Sequence, residues 1–315
     1  MKKLLYTVVL TFCTLPTTAQ ESKTVYNFLR LPVSAHAAAL GGDNITIDDD
    51  DLALVFHNPA LLNNVTDRTL DLNVMTYMEG SVTGSAAFAK AAGERGTWAV
   101  GGQFMSYGTM RETNASGEQT GEFSAKDVCL TGTFTYALTN RISGGITAKA
   151  IASYIGSYSS TAMGVDLGLN YFDSDRQWSV SAVARNLGGQ LSAYEDDFER
   201  LPLDLQIGVT KRLIGSPLRL SASLVRLNDW EYGIGRHIVV GADLILSSQF
   251  YVAVGYNALR AAEMSIATDD EGSSAHGAGL SLGAGMHLQR LSLHVAYARY
   301  HVSSNSLLFN FSYSL

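Results

Sequence analysis

From Thr69 to the C terminus, apolar and polar residues alternate with a period of two in one short segment after another. That is the pattern of β-strands whose two faces meet different surroundings. The last segment places Leu307, Phe309, Phe311, Tyr313 and Leu315 on one face and Leu308, Asn310, Ser312 and Ser314 on the other. The same division sets Leu203, Leu205, Ile207 and Val209 against Asp204, Gln206, Gly208 and Thr210. A secreted soluble β-sandwich or propeller also alternates, so the period alone does not decide. The polar faces do, because Gly, Ser, Asn and scattered charges suit a lumen better than a solvent surface. Strands beginning near residues 69, 81, 97, 122, 140, 160, 177, 202, 217, 236, 250, 277, 291 and 306 number about fourteen, near the ~10-residue length that a tilted transmembrane strand needs.

The connections sort into two sets. Ala92–Gly96, Thr139–Asn140, Asp173–Arg176, Gly215–Pro217, Ser247–Gln249 and Leu288–Arg290 are short, whereas Arg111–Gly121, Leu187–Leu201, Asn228–Gly235 and Arg260–His276 are long. Short turns on the periplasmic side and long loops facing outward are the topology of an outer-membrane barrel. The pattern therefore predicts an all-β fold: an outer-membrane antiparallel β-barrel of about fourteen strands over 67–315, with 20–66 as an N-terminal periplasmic, plug-like segment.

That earlier segment lacks the period of two. Within Ser34–Leu62, the alanine-rich run Ala35–Leu40 predicts a short helix, and Gly41-Gly42 can end it in the left-handed conformation. Asn58-Pro59 predicts a turn that redirects the chain, through Ala60, into the first strand. Asp48 to Asp51 are the most concentrated charge in the chain and read as a solvated loop. A calcium site there is the lesser reading, since neighbouring aspartates cannot all face one ion. His57, beside the turn, could be a ligand or a proton carrier, but a hydrogen-bonded scaffold residue is the reading favoured.

Composition adds an address. Lys2 and Lys3, the apolar run Leu4–Leu15 and the small residues Thr17-Thr18-Ala19 form the pattern of a secretory signal peptide over 1–19, cleaved near Ala19. Cys13 leaves with this leader, so Cys129 has no partner for an intramolecular disulfide. Losing the two lysines takes the formal charge from −7 to −9, which argues against nucleic acid as a partner. Beyond the leader no apolar run is long enough for a helical membrane span.

Candidate chemistry is sparse. His237, His287, His294 and His301 lie on or near strands among many serines, with no nucleophile-elbow, zinc-ligand or phosphate-loop spacing. The reading is a non-enzyme with no catalytic residue, metal site or cofactor assigned. The long loops are the better candidates: Tyr194, Glu195, Asp196, Asp197 and Phe198 on one, Trp230 and Tyr232 on another, mix aromatics with acids in a way suited to gripping a protein. An interfacial aromatic belt and simple solvation are the plain alternatives.

Five segments carry a family resemblance. Tyr26–Ser34 (YNFLRLPVS), Ala35–Gly42 (AHAAALGG) and Leu54–Leu62 (LVFHNPALL), followed by Ala184–Tyr194 (ARNLGGQLSAY) and Leu201–Arg212 (LPLDLQIGVTKR), resemble the signatures of the PorV/PorQ group of the type IX secretion system. Gly41, Gly42, Asp48, His57, Asn58, Pro59 and Ala60 fall in the N-terminal part of that pattern. The resemblance implies a FadL-like barrel in the outer membrane of a Gram-negative bacterium, embedded in outer-membrane lipid. It further implies an anchor for a PorZ-like surface protein, beside a PorU-like sortase and a PorV-like barrel, in the complex that joins cargo to anionic lipopolysaccharide. Asn-Pro-Ala is shared with the wider FadL-like class, so the alternative is an outer-membrane channel for hydrophobic small molecules.

Overall fold

The computed structural model describes residues 24–315 except 79, 230, 232, 269–271, 275–276 and 303. The predicted leader and its cleavage position lie outside the described residues. So do the loop aromatics Trp230 and Tyr232.

Alternation becomes a wall. The strands are β1 (Thr69–Thr76), β2 (Val82–Ala92), β3 (Gly96–Thr113), β4 (Gln119–Ala137), β5 (Ile142–Ile155), β6 (Tyr158–Asp173), β7 (Trp178–Ser192) and β8 (Asp204–Arg212). They continue as β9 (Leu218–Leu224), β10 (Ile238–Ile245) and β11 (Phe250–Asn257); a separate ribbon of β12 (Ile266–Thr268) and β13 (Gly272–Ser274) follows. The last three are β14 (Leu280–His287), β15 (Leu291–His301) and β16 (Ser304–Ser314). Among the described residues, fourteen of these strands, all but the ribbon, form one closed antiparallel barrel. It is sealed where β1 pairs β16, with Thr69 opposite Ser314 and Leu72 opposite Phe311. Closure leaves no strand edge with unpaired backbone groups, the condition for a sheet to sit in hydrocarbon.

The two faces separate as the period of two requires. On β1, Leu72 is 54% exposed while its neighbour Asp71 is fully buried. Outward positions elsewhere are occupied by Leu130, Phe134, Leu169, Ile207, Phe309 and similar residues, exposed from the chain and therefore suited to lipid. Among the described residues no helix is long and apolar enough to cross a membrane.

Three predicted boundaries move. Arg111–Gly121 is not a long loop: β3 and β4 run on as a paired ribbon, Arg111 opposite Glu122 and Thr113 opposite Gln119, closed by a tight turn in which Asn114 Oδ1 accepts from the Ser116 and Glu118 amides. Its polar residues face water on both sides, so their composition reads as loop although the backbone is paired. Leu187–Ser192 of the second predicted loop belongs to β7. The fourth predicted loop, Arg260–His276 after β11, opens in a helix, Ala258–Glu263, capped by Asn257, whose side-chain oxygen accepts from the Arg260 amide.

Residues 24–66, within the predicted plug-like segment, lie in the lumen and run from its long-connection end to its short-turn end. The Val25 amide donates to Arg200 O beside the long β7–β8 connection, so this stretch enters at the long-connection end. It then folds as a 3₁₀ turn, Asn27–Arg30, and the helix Ala35–Ala39, and after Asp48–Asp51 as two more 3₁₀ turns, Leu52–Phe56 and Pro59–Asn64. It leaves at the short-turn end into β1. Its apolar residues, among them Leu40, Ile45, Ile47, Leu52, Leu54, Leu61 and Leu62, are completely or almost completely buried.

Candidate functional site

The lumen is the place where this chain concentrates buried charge, and several of the contacts there join plug to wall. The helix Ala35–Ala39 begins with Ser34, whose hydroxyl accepts from the Ala37 amide and donates to Asp51 Oδ2 at 2.8 Å. It ends as predicted: Gly41 (φ 105°) and Gly42 (φ 96°) turn left-handed, and their amides donate back to Ala38 O and Ala37 O, a Schellman closure. This turn lies flat on the wall. A Cβ on Gly255 of β11 would stand 2.3 Å from the Gly41 nitrogen, so the wall must be bare backbone there.

One ion cluster fastens the helix and the aspartate run to β9 and β10. Arg219 of β9 grips Asp49 with both terminal nitrogens, at 2.7 and 2.9 Å, and reaches Asp243 of β10 through Nε at 2.7 Å. His36 lies between the same carboxylates: Nε2 is 2.8 Å from Asp243 Oδ1, and Nδ1 is 3.3 Å from Asp49 Oδ2, within ion-pair range but not aligned as a hydrogen bond. The bidentate fork is the strong geometry for a guanidinium and a carboxylate. Burial pushes the Asp49 carboxyl up, but Arg219 beside it, with His36 and His287 adding to the pull, holds it below the usual carboxylate range.

The other aspartates turn to other partners, so Asp48–Asp51 are not the solvated run the sequence predicts. Asp48 accepts from Asn64, and burial together with the neighbouring Asp49 charge raises its carboxyl to about 6. Asp51 caps the Leu52–Phe56 turn by accepting from the Ala53 amide, and only Asp50 is exposed, bonding to Thr66. The four carboxylates do not converge on one point.

His57 is a scaffold residue. Its Nε2 accepts from the amides of Val33 and Ser34, both at 3.3 Å, and burial first, then the charges of Arg185 and Lys149, lowers its imidazole to about 3. Asn58 makes the predicted turn: its Oδ1 accepts from the Ala60 amide, its Nδ2 donates to Ile45 O, and Pro59 opens the Pro59–Asn64 turn. Instead of leading straight into β1, this corner presses on the wall. A Cβ at Gly168 of β6 would come within 2.1 Å of Asn58 Oδ1, while Thr135 and Ser143 donate to the carbonyls of Pro59 and Ala60.

Sequence reasoning missed the wall side of these contacts. Arg185 pairs Asp204 at 2.7 Å and the plug's Asp43 at 3.5 Å; Lys149 pairs Asp166 at 2.7 Å. The available signal was a charged residue on the small, polar face of a strand, as Arg219 and Asp204 both are. Such a residue must find a partner in the lumen.

The histidines do not assemble an active centre. His237 Nδ1 is 2.9 Å from Val225 O, and His294 Nδ1 is 2.7 Å from the Tyr251 hydroxyl, whose ring stacks on His36. His287 meets Ser292 at 3.1 Å, but its ring neighbours are His294 and Tyr251 rather than an orienting carboxylate. His301 lies edge-on to Tyr77.

At the rim, Tyr194 turns inward and bonds Ser153, whereas Glu195, Asp196, Asp197 and Phe198 stand in solvent, Phe198 at 66% exposure. On the outer wall, an apolar groove of about 740 Å³ lies over Gly145 and Gly168, between Phe134, Ile146, Leu169 and Ile207. Behind those glycines sit Asn58 and Pro59, so backbone alone separates groove from plug.

No protein-family model matches the chain, and no curated protein sequence matches it. Solved structures do. A deletion mutant of the TodX monoaromatic hydrocarbon channel aligns at a TM-score of 0.63 and 12% identity, covering 89% of this chain and 98% of that one. The chain shares the FadL-like barrel fold. The Pseudomonas putida toluene transporter TodX gives 0.56 at 12% identity, covering 90% and 96% of the two chains. A Pseudomonas aeruginosa FadL homologue gives 0.53 at 12% identity, covering 89% and 97%. An alignment over 89% of 315 residues is longer than the wall from Thr69 to Leu315, so the likeness takes in part of the luminal segment as well.

Proposed function

We propose that this protein is a non-enzymatic outer-membrane barrel that passes small hydrophobic molecules, with residues 24–66 as its plug. The observation that carries the reading is the likeness, wall and luminal segment together, to barrels described as monoaromatic hydrocarbon channels and a toluene transporter. The groove over Gly145 and Gly168 supports it: an apolar solute held there lies one strand thickness from the Asn58-Pro59 corner, the part of the plug that a passage through the wall would have to displace. The test is entry of radiolabelled toluene into cells with and without the gene. Entry should fall several-fold on deletion and return with the wild-type gene; equal entry in both strains would refute the channel.

A second reading keeps the protein as an anchor for a PorZ-like surface protein, with a PorU-like sortase and a PorV-like barrel in the same complex. Two observations favour it: the five sequence segments that resemble the PorV/PorQ group, and a plug held by buried ion pairs, which suits a fixed support. Gentle solubilisation and affinity capture of the tagged protein should bring a surface protein with it. Capture of the barrel alone would count against the anchor.

A further inference from the structure

The apolar groove on the outer wall stands directly above a cluster of cations, and the strand register joins the two. Across β6, β7 and β8 the outward positions form rows: Leu167, Ala184 and Leu205, then Leu169, Ala182 and Ile207 one step nearer the short turns. The groove is the hollow left where Ala182, Ala184 and Gly144 of β5 set no long side chain between their larger neighbours. The next two rows towards the turns bring Tyr171 and then Trp178, which stands opposite Lys211. An apolar face that ends in Tyr and Trp and then in a cation follows the order met on passing from hydrocarbon into lipid headgroups.

Lys211 lies over the Trp178 ring, 4.9 Å from its centre, and donates to Arg176 O, so Trp178, Lys211 and the Arg176 turn form one unit. Arg141, on the adjoining turn, is already matched by Asp173 at 3.5 Å and Asp175 at 2.9 Å. Arg176 is exposed and Lys211 half-buried, and among the described residues neither has a carboxylate within ion-pair range. With Arg212 at the end of β8, four cations stand here against the two carboxylates, which leaves two positive charges at the foot of the groove.

We propose that this face is a binding site for one anionic phospholipid of the leaflet at the short-turn end, its phosphate held by Lys211 and Arg176 and one acyl chain lying in the hollow over Gly144, Ala182 and Ala184. A headgroup of net negative charge fits better than a zwitterionic one, whose own cation would meet two unmatched cations. A soluble anion would use the cations and leave the apolar groove unused, whereas a phospholipid uses both, and different residues read its two ends. The site does not rest on the channel reading: a barrel that passes nothing would hold the lipid equally, and a solute crossing the wall would displace the chain.

The test uses the full barrel with Trp98→Phe and Trp230→Phe, which leaves Trp178 as its one tryptophan, reconstituted in phosphatidylcholine vesicles. Chain-brominated phosphatidylglycerol or chain-brominated phosphatidylcholine is added at equal mole fraction, and quenching of Trp178 gives their relative affinity. Phosphatidylglycerol should be preferred about fivefold or more. Lys211→Gln with Arg176→Gln should bring that preference close to one, and Ala182→Leu, which fills the hollow without changing charge, should lower it at least twofold. Glycerol phosphate, the same headgroup without chains, should leave the quenching unchanged. If the tryptophan variants fail to insert, native mass spectrometry of the otherwise wild-type barrel, with and without the glutamine pair, scores retained phosphatidylglycerol instead. Equal affinity for the two lipids, a preference that survives the glutamine pair, or indifference to Ala182→Leu would overturn the assignment. So would displacement by glycerol phosphate, which would leave a soluble-phosphate site, or no quenching by either lipid in a barrel that runs as a dimer, which would give the groove to a second copy.

Discussion

The plug and the rim carry similar residue types and treat them in opposite ways. Asp49 in the plug sits in a bidentate grip and Asp51 caps a turn and binds Ser34, so the aspartate run is a set of fasteners. Glu195, Asp196 and Asp197 at the rim stand in water with Phe198 exposed among them. The difference is enclosure. Inside a closed wall every carboxylate has to be matched, because an unpaired buried charge costs several kcal/mol; outside it, solvent does the matching and the residues stay free for a partner. Structure-determining charge and solvated charge are thus divided between the inside and the end of one barrel.

The sharpest way to break this contrast is at Arg219. Replacing it with Met removes the cation from between Asp49, Asp243 and His36 while keeping most of the side-chain volume. Stripping one partner from a buried ion cluster typically costs about 3–5 kcal/mol. The expected result is a plug that becomes accessible to protease in native detergent solution, or a urea midpoint that falls sharply. Unchanged protease resistance and midpoint would mean that the cluster is not what holds the plug.

How much of this could be read from the chain depends on the distance over which each feature is decided. Local features were legible: the alternation of Leu307–Leu315, the Ala35–Ala39 helix with its glycine end, and the Asn58-Pro59 turn each depend on neighbours within a few residues. The wall faces followed too, since a period of two assigns every side chain once one is assigned. Partner choice was not legible. His36 finds Asp243 and Asn58 finds Gly168 only because the barrel closes around the plug, and nothing local marks either pairing. Tyr194 failed for another reason: an aromatic with a polar tip suits a docking surface and a wall contact equally, and here its hydroxyl goes to Ser153. For the same reason the β3–β4 ribbon, polar on both faces, resembled a loop.

His57 gives a second, smaller handle on the plug, and one with a defined pH signature. The imidazole must stay neutral to accept from the Val33 and Ser34 amides. Its folded value of about 3 lies below the ordinary 6.5, so its contribution is fully present above 6.5 and is lost as pH falls towards 3. Asp48 works in the opposite direction: raised from 3.8 to about 6, it favours the folded state at low pH and loses that contribution as pH rises through 6. The two oppose each other in the same window, so wild-type protein alone does not separate them. The difference between wild type and His57→Gln does, because glutamine can still accept but does not titrate. Urea midpoints should diverge below pH 6.5, with the variant the less acid-sensitive. His57→Leu, which strands both amides, should cost about 1–3 kcal/mol at neutral pH. Parallel pH curves for wild type and His57→Gln would remove His57 from the account.

The smallest expected effect on stability belongs to the rim, and it tests the other half of the contrast. Replacing Glu195, Asp196, Asp197 and Phe198 with a Gly/Ser sequence removes exposed side chains and leaves Tyr194 in its wall contact, so the urea midpoint should move by no more than about 0.5 kcal/mol equivalent. If the anchor reading holds, the same change should release the captured surface protein from a barrel that still inserts and still protects its plug. If the channel reading holds, hydrocarbon entry should be indifferent to these acids. A large loss of stability from this replacement would mean that the rim is also part of the fastening, and the division between an enclosed, self-matched charge set and a free one would fail. Keeping Tyr194 in place makes that outcome interpretable, because it is the one member of the predicted loop surface already committed to the wall.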